Sequence, residues 1–367
     1  MKIECSKEKL SWGVALANRA CSKNLTLPVL SNVVLEADSG KLLIRATNLD
    51  VFIEVTLNCK TDKNGIVAVS AEALLGFLSS VGKESTVNLE FIEGNLVVKS
   101  KSGKATVKGF NTDDFPKMSK PIGETHFKIE ASSLSDGIKS VCYSASLSQI
   151  KPELSSVVLF SQEKNLFFVS TDSFRLAEKS VRLNLGEQIS QTIVPVKNAI
   201  EIAKIADEFK NDEIKTSFSK GQIMIEVGGV VLISRTVDGS FPDYKQIIPK
   251  EFKTEVIILK EDLLRALKAS VAFSDKFNQT VFSILPQGKV VSIKSKSNEI
   301  GEGCVNLDAA ISGDEMEISF NHKYVIDCLN FIKSDSISLS FSGDAKPALL
   351  RGVSDHSFRY VVMPMNR

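Results

Sequence analysis

The sequence predicts an α+β chain of three similar domains, each with two helices backed by antiparallel sheets. Three observations carry this. Helix-forming stretches recur at intervals of one third: Ser6 to Cys21, Ala131 to Ser146 and Lys260 to Ser274 open the thirds, and Ser70 to Val81, Val196 to Phe209 and Asn321 to Ile332 follow later in each. Every helical stretch leads into runs of alternating apolar residues, the period of a half-buried strand. Each third closes on a proline, in Asp114-Phe115-Pro116, Ser240-Phe241-Pro242 and Val362-Met363-Pro364, and their spacing of about 125 residues is close to the size of one domain. The expected boundaries are 1–121, 122–250 and 251–367.

In the first third, Lys2 to Cys5 reads as a short strand, and the helix after it carries Leu10, Val14, Ala17 and Ala20 on one stripe. Val33 to Leu35, Lys41 to Ala46 and Val51 to Leu57 read as strands, with a hairpin turn at Asp38-Ser39-Gly40. Asn64-Gly65 is expected to be the turn before the second helix. Thr86 to Ile92, Asn95 to Ser100 and Lys104 to Phe110 are three more strands, joined by Glu93-Gly94-Asn95 and Ser102-Gly103. Strand, helix and three strands thus occur twice per third. The middle third repeats the pattern with Val157 to Phe160, Leu166 to Ser170, Phe174 to Val181, Lys215 to Phe218, Gln222 to Val227 and Val230 to Thr236, and the last third does so less cleanly. Pro28, Pro121 and Pro249 fall at strand entries or between thirds, where a missing amide costs little.

Composition is that of a globular chain, 43% apolar and 24% charged, with material for several cores. The apolar runs fall short of the roughly 18 residues a membrane-spanning helix needs. Trp12 to Ala17 lies between Lys7-Glu8-Lys9 and Arg19, an amphipathic helix and not a signal-peptide core, so a cytoplasmic location is expected, without membrane contact. Cys5, Cys21, Cys59, Cys142, Cys304 and Cys328 form no C-x-x-C pair, and buried free thiols are expected. His126, His322 and His356 are dispersed. Neither a metal site nor a cofactor is expected. An enzyme would need paired carboxylates in one cleft, yet Asp113, Asp172 and Asp243 are spread along the chain, and Gly301-Glu302-Gly303 is too short for a phosphate loop. No catalytic residue is assigned.

With a net charge of only +1, attraction to nucleic acid requires uneven placement of charge. On the second helix of the middle third, Ile202, Ile205, Ala206 and Phe209 face one way, while Lys197, Glu201, Lys204 and Glu208 face the other, either as i,i+4 ion pairs or as a phosphate-facing surface. Basic residues recur on the other helices at Lys7, Lys9, Arg19, Lys139, Arg265, Lys268, Lys323 and Lys333. Summed over helices facing a common axis, they would contact phosphates without reading bases. Arg175, in Thr171 to Ala177, sits between apolar neighbours and reads either as a hydrogen-bonded structural arginine or as part of a site. The apolar ending Tyr360 to Met365 reads either as a docked segment, with methionines suited to varied partners, or as a plain edge strand.

Taken together, Leu27-Pro28-Val29-Leu30-Ser31-Asn32, Thr171 to Ala177, Phe241-Pro242-Asp243-Tyr244 and Val361 to Met365 resemble the bacterial DNA polymerase III β subunit, the sliding clamp, with the match spread over all three thirds. The resemblance implies the DNA clamp fold and a head-to-tail homodimer forming a ring around duplex DNA. It is bound without sequence preference, as a processivity factor with no catalysis. It places the dimer contact near Ala105 to Val107 and at Ala272 and Phe273. It implies a pocket for short peptides of the polymerase III α subunit, the clamp loader δ subunit, and repair polymerases, ligase and mismatch repair proteins. That pocket would comprise Leu154, Thr171, Ser173, Phe174, Arg175, Leu176, Pro242, Ile247, Val361, Met363, Pro364 and Met365. DNA contacts would be Lys23, Asn24, Gln149, Lys197, Lys204 and Gln246. The family commonly has Gly-His at Ser173-Phe174 and Arg-Leu at Asn366-Arg367, and some relatives have arginine at Asn24 and Gln246; these departures bear on peptide preference and on DNA contact.

Overall fold

The structure, a computed structural model, describes all residues except 23–26, 83–84, 118–124, 184–187 and 366–367. The first third runs β1 (Lys2–Ser6), α1 (Lys7–Asn18), β2 (Val33–Asp38), β3 (Lys41–Thr47), β4 (Val51–Asn58), β5 (Lys60–Lys63), β6 (Gly65–Val69), α2 (Ala71–Ser80), β7 (Thr86–Ile92), β8 (Asn95–Lys99) and β9 (Lys104–Phe110). The second runs β10 (Thr125–Glu130), α3 (Ala131–Cys142), β11 (Ser156–Gln162), β12 (Asn165–Thr171), β13 (Arg175–Arg182), β14 (Thr192–Pro195), α4 (Val196–Glu208), β15 (Glu213–Ser219), β16 (Gln222–Val227) and β17 (Val230–Arg235). The last runs β18 (Thr254–Leu259), α5 (Lys260–Val271), β19 (Gln279–Leu285), β20 (Val290–Ser297), β21 (Gly301–Asp308), β22 (Ala310–Gly313), β23 (Met316–Asn321), α6 (His322–Leu329), β24 (Ser336–Phe341), β25 (Ala348–Gly352) and β26 (Phe358–Val362).

The first and last thirds share one order of elements, and among the described residues the middle third lacks only the short strand equivalent to β5. The expected half-units are present with corrections. Asn64-Gly65 joins β5 to β6, so a strand stands between that turn and α2. Its signal was missed because Gly65–Val69 is short and apolar throughout, without alternation. In the first third, the two hairpins with glycine second have positive φ at both central residues, Ser39 and Gly40 in one and Glu93 and Gly94 in the other, the type I′ geometry such sequences favour.

Two compact units emerge. One comprises residues Met1–Ser135 with Glu201–Thr236, the other Asp136–Ile200 with Val237–Arg367. The first holds a 13-stranded antiparallel sheet in which β4 pairs with β17, Ile53 opposite Leu232. In the second, a nine-stranded sheet pairs β13 with β26, and a four-stranded sheet runs β21-β20-β19-β23. Helices bury one stripe against these sheets. The seventh residue of the first helix of each third is small, Gly13, Gly137 or Ala266, because the strand beneath approaches closely: a Cβ on Gly137 would overlap the Phe168 ring. Phe209, at the end of α4, packs edge-on against Trp12 of α1 at 6.0 Å.

Cys5 and Cys328 are buried, but Cys304 is exposed, against expectation, because the edge strand β21 turns it to solvent. Burial pushes Cys5 up to about 12 and Cys21 up to about 11, so both are unreactive thiols at neutral pH. His322 is buried at the start of α6, and burial lowers its pKa. Among the described residues no group of three metal-ligating side chains occurs, and no helix is long and apolar enough to cross a membrane.

Candidate functional site

The hairpin between β12 and β13 is built by side chains. The Thr171 hydroxyl donates to the Arg175 carbonyl at 2.6 Å and accepts from the Ser173 N–H at 3.2 Å. The Asp172 carboxylate accepts from the backbone N–H groups of Phe174 and Arg175, both at 2.9 Å. The same device recurs between β3 and β4. There Thr47 donates to Val51 and accepts from Leu49, while Asn48 accepts from Asp50 and Val51. Leu49 and Ser173 have φ of 79° and 78°, positive at the first central residue of a two-residue turn, where glycine is the usual choice. Thr171 to Phe174 is therefore first a piece of the repeated fold. A side chain at this φ costs about 1 kcal/mol, so Ser173→Gly is expected to stabilise the chain by roughly that amount in chemical denaturation, and a loss of stability would show that the turn is not strained.

Arg175, which opens β13, is only 12% exposed in its side chain. Its guanidinium donates to Asp172 at 3.0 Å, to Asp327 of α6 at 2.7 Å and to the Tyr143 carbonyl at 2.6 Å, and it lies 4.4 Å from the Tyr324 ring centroid. Burial works against its charge, yet Tyr360, Asp327 and Asp172 hold its pKa above the ordinary value. Arg175 is thus a hydrogen-bonded structural arginine, whatever else it does, and joins the hairpin, α6 and the loop after α3.

Beside it the chain end docks. Leu176 lies opposite Val361 in the β13–β26 ladder, the Met363 N–H donates to the Phe174 carbonyl at 2.8 Å, and the Met365 N–H donates to Ser319 at 2.8 Å. Leu176 and Val361 pack with Phe241 and Tyr244 in one buried cluster. Pro242, exposed beside Phe241, and Ile247, exposed after a 3₁₀ turn at Tyr244–Gln246, edge that cluster. Phe174 is 61% exposed. Leu154 is half-buried in the loop 143–155, whose start Arg175 holds through Tyr143.

The helix faces are less cationic than expected. Lys204 is paired with Glu201 at 2.6 Å, as i,i+3 and not i,i+4, Arg19 with Glu208 at 3.7 Å, Lys333 with Asp136 at 2.6 Å, and Arg265 with Asp262. Lys7 is withdrawn altogether: its ammonium donates to the Val81 and Gly82 carbonyls that end α2, where a cation is favoured by the unpaired C=O groups. Lys197 is exposed on the face of α4 that carries Lys204, two turns away. Lys9, Lys197, Lys268 and Lys323 are exposed and make no ion pair with a described residue. Gln149 is exposed, and Gln246 is exposed but donates to Asp243 at 2.8 Å. Lys23, Asn24, Pro121, Asn366 and Arg367 lie outside the described residues.

Three family models of the DNA polymerase III beta subunit match the chain in order: the N-terminal domain at residues 1–119, the central domain at 128–243 and the C-terminal domain at 245–366. The chain belongs to this family. Beta sliding clamps of Synechococcus elongatus and Bacillus subtilis are each 27% identical to it, over 100% of this chain and 99% of theirs. The crystal structure of the DNA polymerase III subunit beta from Pseudomonas aeruginosa superposes with a TM-score of 0.95 at 25% identity, covering 100% of both chains. The chain, as a member of this family, is a processivity clamp for DNA replication and not a catalyst.

Among the described residues the chain has several open sheet edges, and two of them are on β9 and β21. From Lys104 to Lys108, β9 pairs with β8 alone, because β6 reaches only Gly109 and Phe110. Its Ala105 is half-buried and Val107 buried. At the other end of the chain β21 pairs only with β20. The Phe273 ring lies on Gly303 of β21, where a Cβ would overlap it. Ala272 is exposed, with Val271 and Phe277 exposed beside it. In sequence β21 is obscured by Gly301-Glu302-Gly303, which interrupts its alternation; its equivalence to β4 and β13 is the signal that marks it as a strand.

Proposed function

We infer that the chain is a sliding clamp that closes around duplex DNA as a head-to-tail dimer and tethers the replicative polymerase. One observation carries the assembly. The strand β4 of the first third pairs with the last strand of the second, and β13 of the second pairs with the last strand of the third. Among the described residues the equivalent strand β21 meets no last strand of a third, and the outer edge of β9, the last strand of the first third, meets no counterpart of β4. Pairing β21 of one copy with β9 of another satisfies both edges and repeats the same junction. Charge supports it: Lys104 and Lys108 stand on β9, Glu302 and Asp308 on β21. Ala105, Val107, Ala272 and Phe273 would lie at or beside this junction. Domains of 1–121, 122–250 and 251–367 are its repeating wedges.

In this reading Lys23, Asn24, Gln149, Lys197, Lys204 and Gln246 touch the DNA backbone weakly, and the hold is topological, so strong binding energy is unnecessary. Leu154, Thr171, Ser173 to Leu176, Pro242, Ile247, Val361 and Met363 to Met365 form the pocket for peptides of the polymerase α subunit, the loader δ subunit and repair proteins, in the cytoplasm. Supporting it are the exposed apolar Phe174 and Ile247 at the rim of a rigid, hydrogen-bonded wall. Protein loaded on circular DNA is expected to remain bound until the circle is cut, then to leave through the free ends. Retention on linear DNA with unblocked ends would end the topological account.

A further inference from the structure

The loop after β17 runs from the proposed pocket to a second groove. Along β13 and β26, alternation puts Glu178 and Arg359 on the sheet face that carries Leu176 and Val361. Beyond Tyr244 on that face lies a cavity of about 500 Å3, floored by Phe167, Ile248, Phe252 and Leu349. Its rim holds Lys245, Lys250, Arg351 and Arg359. A smaller cavity of about 330 Å3 shares Pro249 and Lys250 with it and extends to Lys346 and Ile247. Since Ile247 also belongs to the proposed pocket, the two cavities continue that pocket along one loop.

The groove is cationic. Five basic side chains face three carboxylates, Glu163, Glu178 and Glu251, and Glu178 is already answered: it is buried, accepts from the Tyr244 hydroxyl at 2.7 Å and lies 3.6 Å from Arg359. Lys250 and Lys346 make no ion pair with a described residue. Arg351 reaches Glu255 only at 4.0 Å. Lys245 donates to Gln162 at 2.6 Å, so an apolar floor inside a ring with a cationic excess, Lys250 and Lys346 being its unpaired members among the described residues, suits a chain segment that presents an aromatic side chain among carboxylates.

We propose that this groove receives an acidic, aromatic-bearing extension of the same partner peptide whose apolar anchor enters the pocket beside Leu176; it rests on that pocket assignment. The test uses the full chain and fluorescence anisotropy with labelled peptides: the anchor alone, the anchor extended at either end by an acidic segment containing phenylalanine, and that segment alone. One extended peptide is expected to bind about five- to tenfold more tightly than the anchor. The gain disappears in the double variant Lys250→Glu with Arg351→Glu, while anchor affinity and thermal midpoint stay as in the parent chain. Equal affinities of anchor and extended peptides, or a gain that survives the variant, overturn the proposal. If the anchor itself fails to bind, the pocket assignment falls; the groove then stands only if the acidic segment alone binds and loses that binding in the double variant, and otherwise falls too.

Discussion

Truncation after Val362 removes binding of the polymerase peptide, by about a hundredfold or more, and leaves the dimer intact. The size of the effect follows from what Met363, Pro364 and Met365 are: a half-buried wall held against Phe174 and Ser319 by backbone hydrogen bonds. Anchoring pockets concentrate binding energy in a few well-packed apolar contacts, and losing one wall exposes the anchor to water. The sheet survives, because β26 ends at Val362. The proposed dimer edges survive as well, since none of the removed residues belongs to β9 or β21. Anisotropy titration and size-exclusion chromatography of the same sample read both outcomes; unchanged peptide affinity would refute the pocket assignment, and a monomer would place these residues at the dimer junction instead.

Arg175→Ala is expected to cost about 3 kcal/mol of stability and to weaken peptide binding with it. Removing the guanidinium leaves Asp172 and Asp327 without their shared cation and the Tyr143 carbonyl without a donor. Asp172 also holds the hairpin, so the loss is local to the wall of the pocket. Arg175→Lys should not restore the parent value, because one compact ammonium cannot reach three acceptors that a planar fork spans. Chemical denaturation measures this. A change within about 0.5 kcal/mol for Arg175→Ala, the usual size for an uninvolved surface residue, would show that the cluster is not what fixes the hairpin.

The helices were legible because each carries its own signal. Ser6, Ser70 and Asn321 cap three of them by accepting from N–H groups in the first turn, and the apolar stripes repeat at helical spacing. The strands β5, β14 and β22 were not, being four residues each, too short for alternation to show. Arg175 was noticed from its apolar neighbours, but its three acceptors lie 3, 32 and 152 residues away, and separation along the chain does not reveal them. The basic helix faces were over-read for the converse reason. Lys7, Arg19 and Lys333 find partners on other segments, and sequence shows only those within a turn or two.

What the sequence determined by itself is the repeat: three thirds, two helices apiece, and a proline after each last strand. These follow from local periodicity, caps and turns, which act over a few residues. Tertiary structure decided how the thirds are used. It pairs β4 with β17 and β13 with β26 but leaves β9 and β21 open, and it turns Thr171 to Leu176, the loop after Phe241 and the last strand into one wall. Strand pairing is a contact between distant segments, fixed by which edges meet when the chain is folded, so a threefold repeat in sequence yields two junctions of one kind among the described residues, β4 with β17 and β13 with β26.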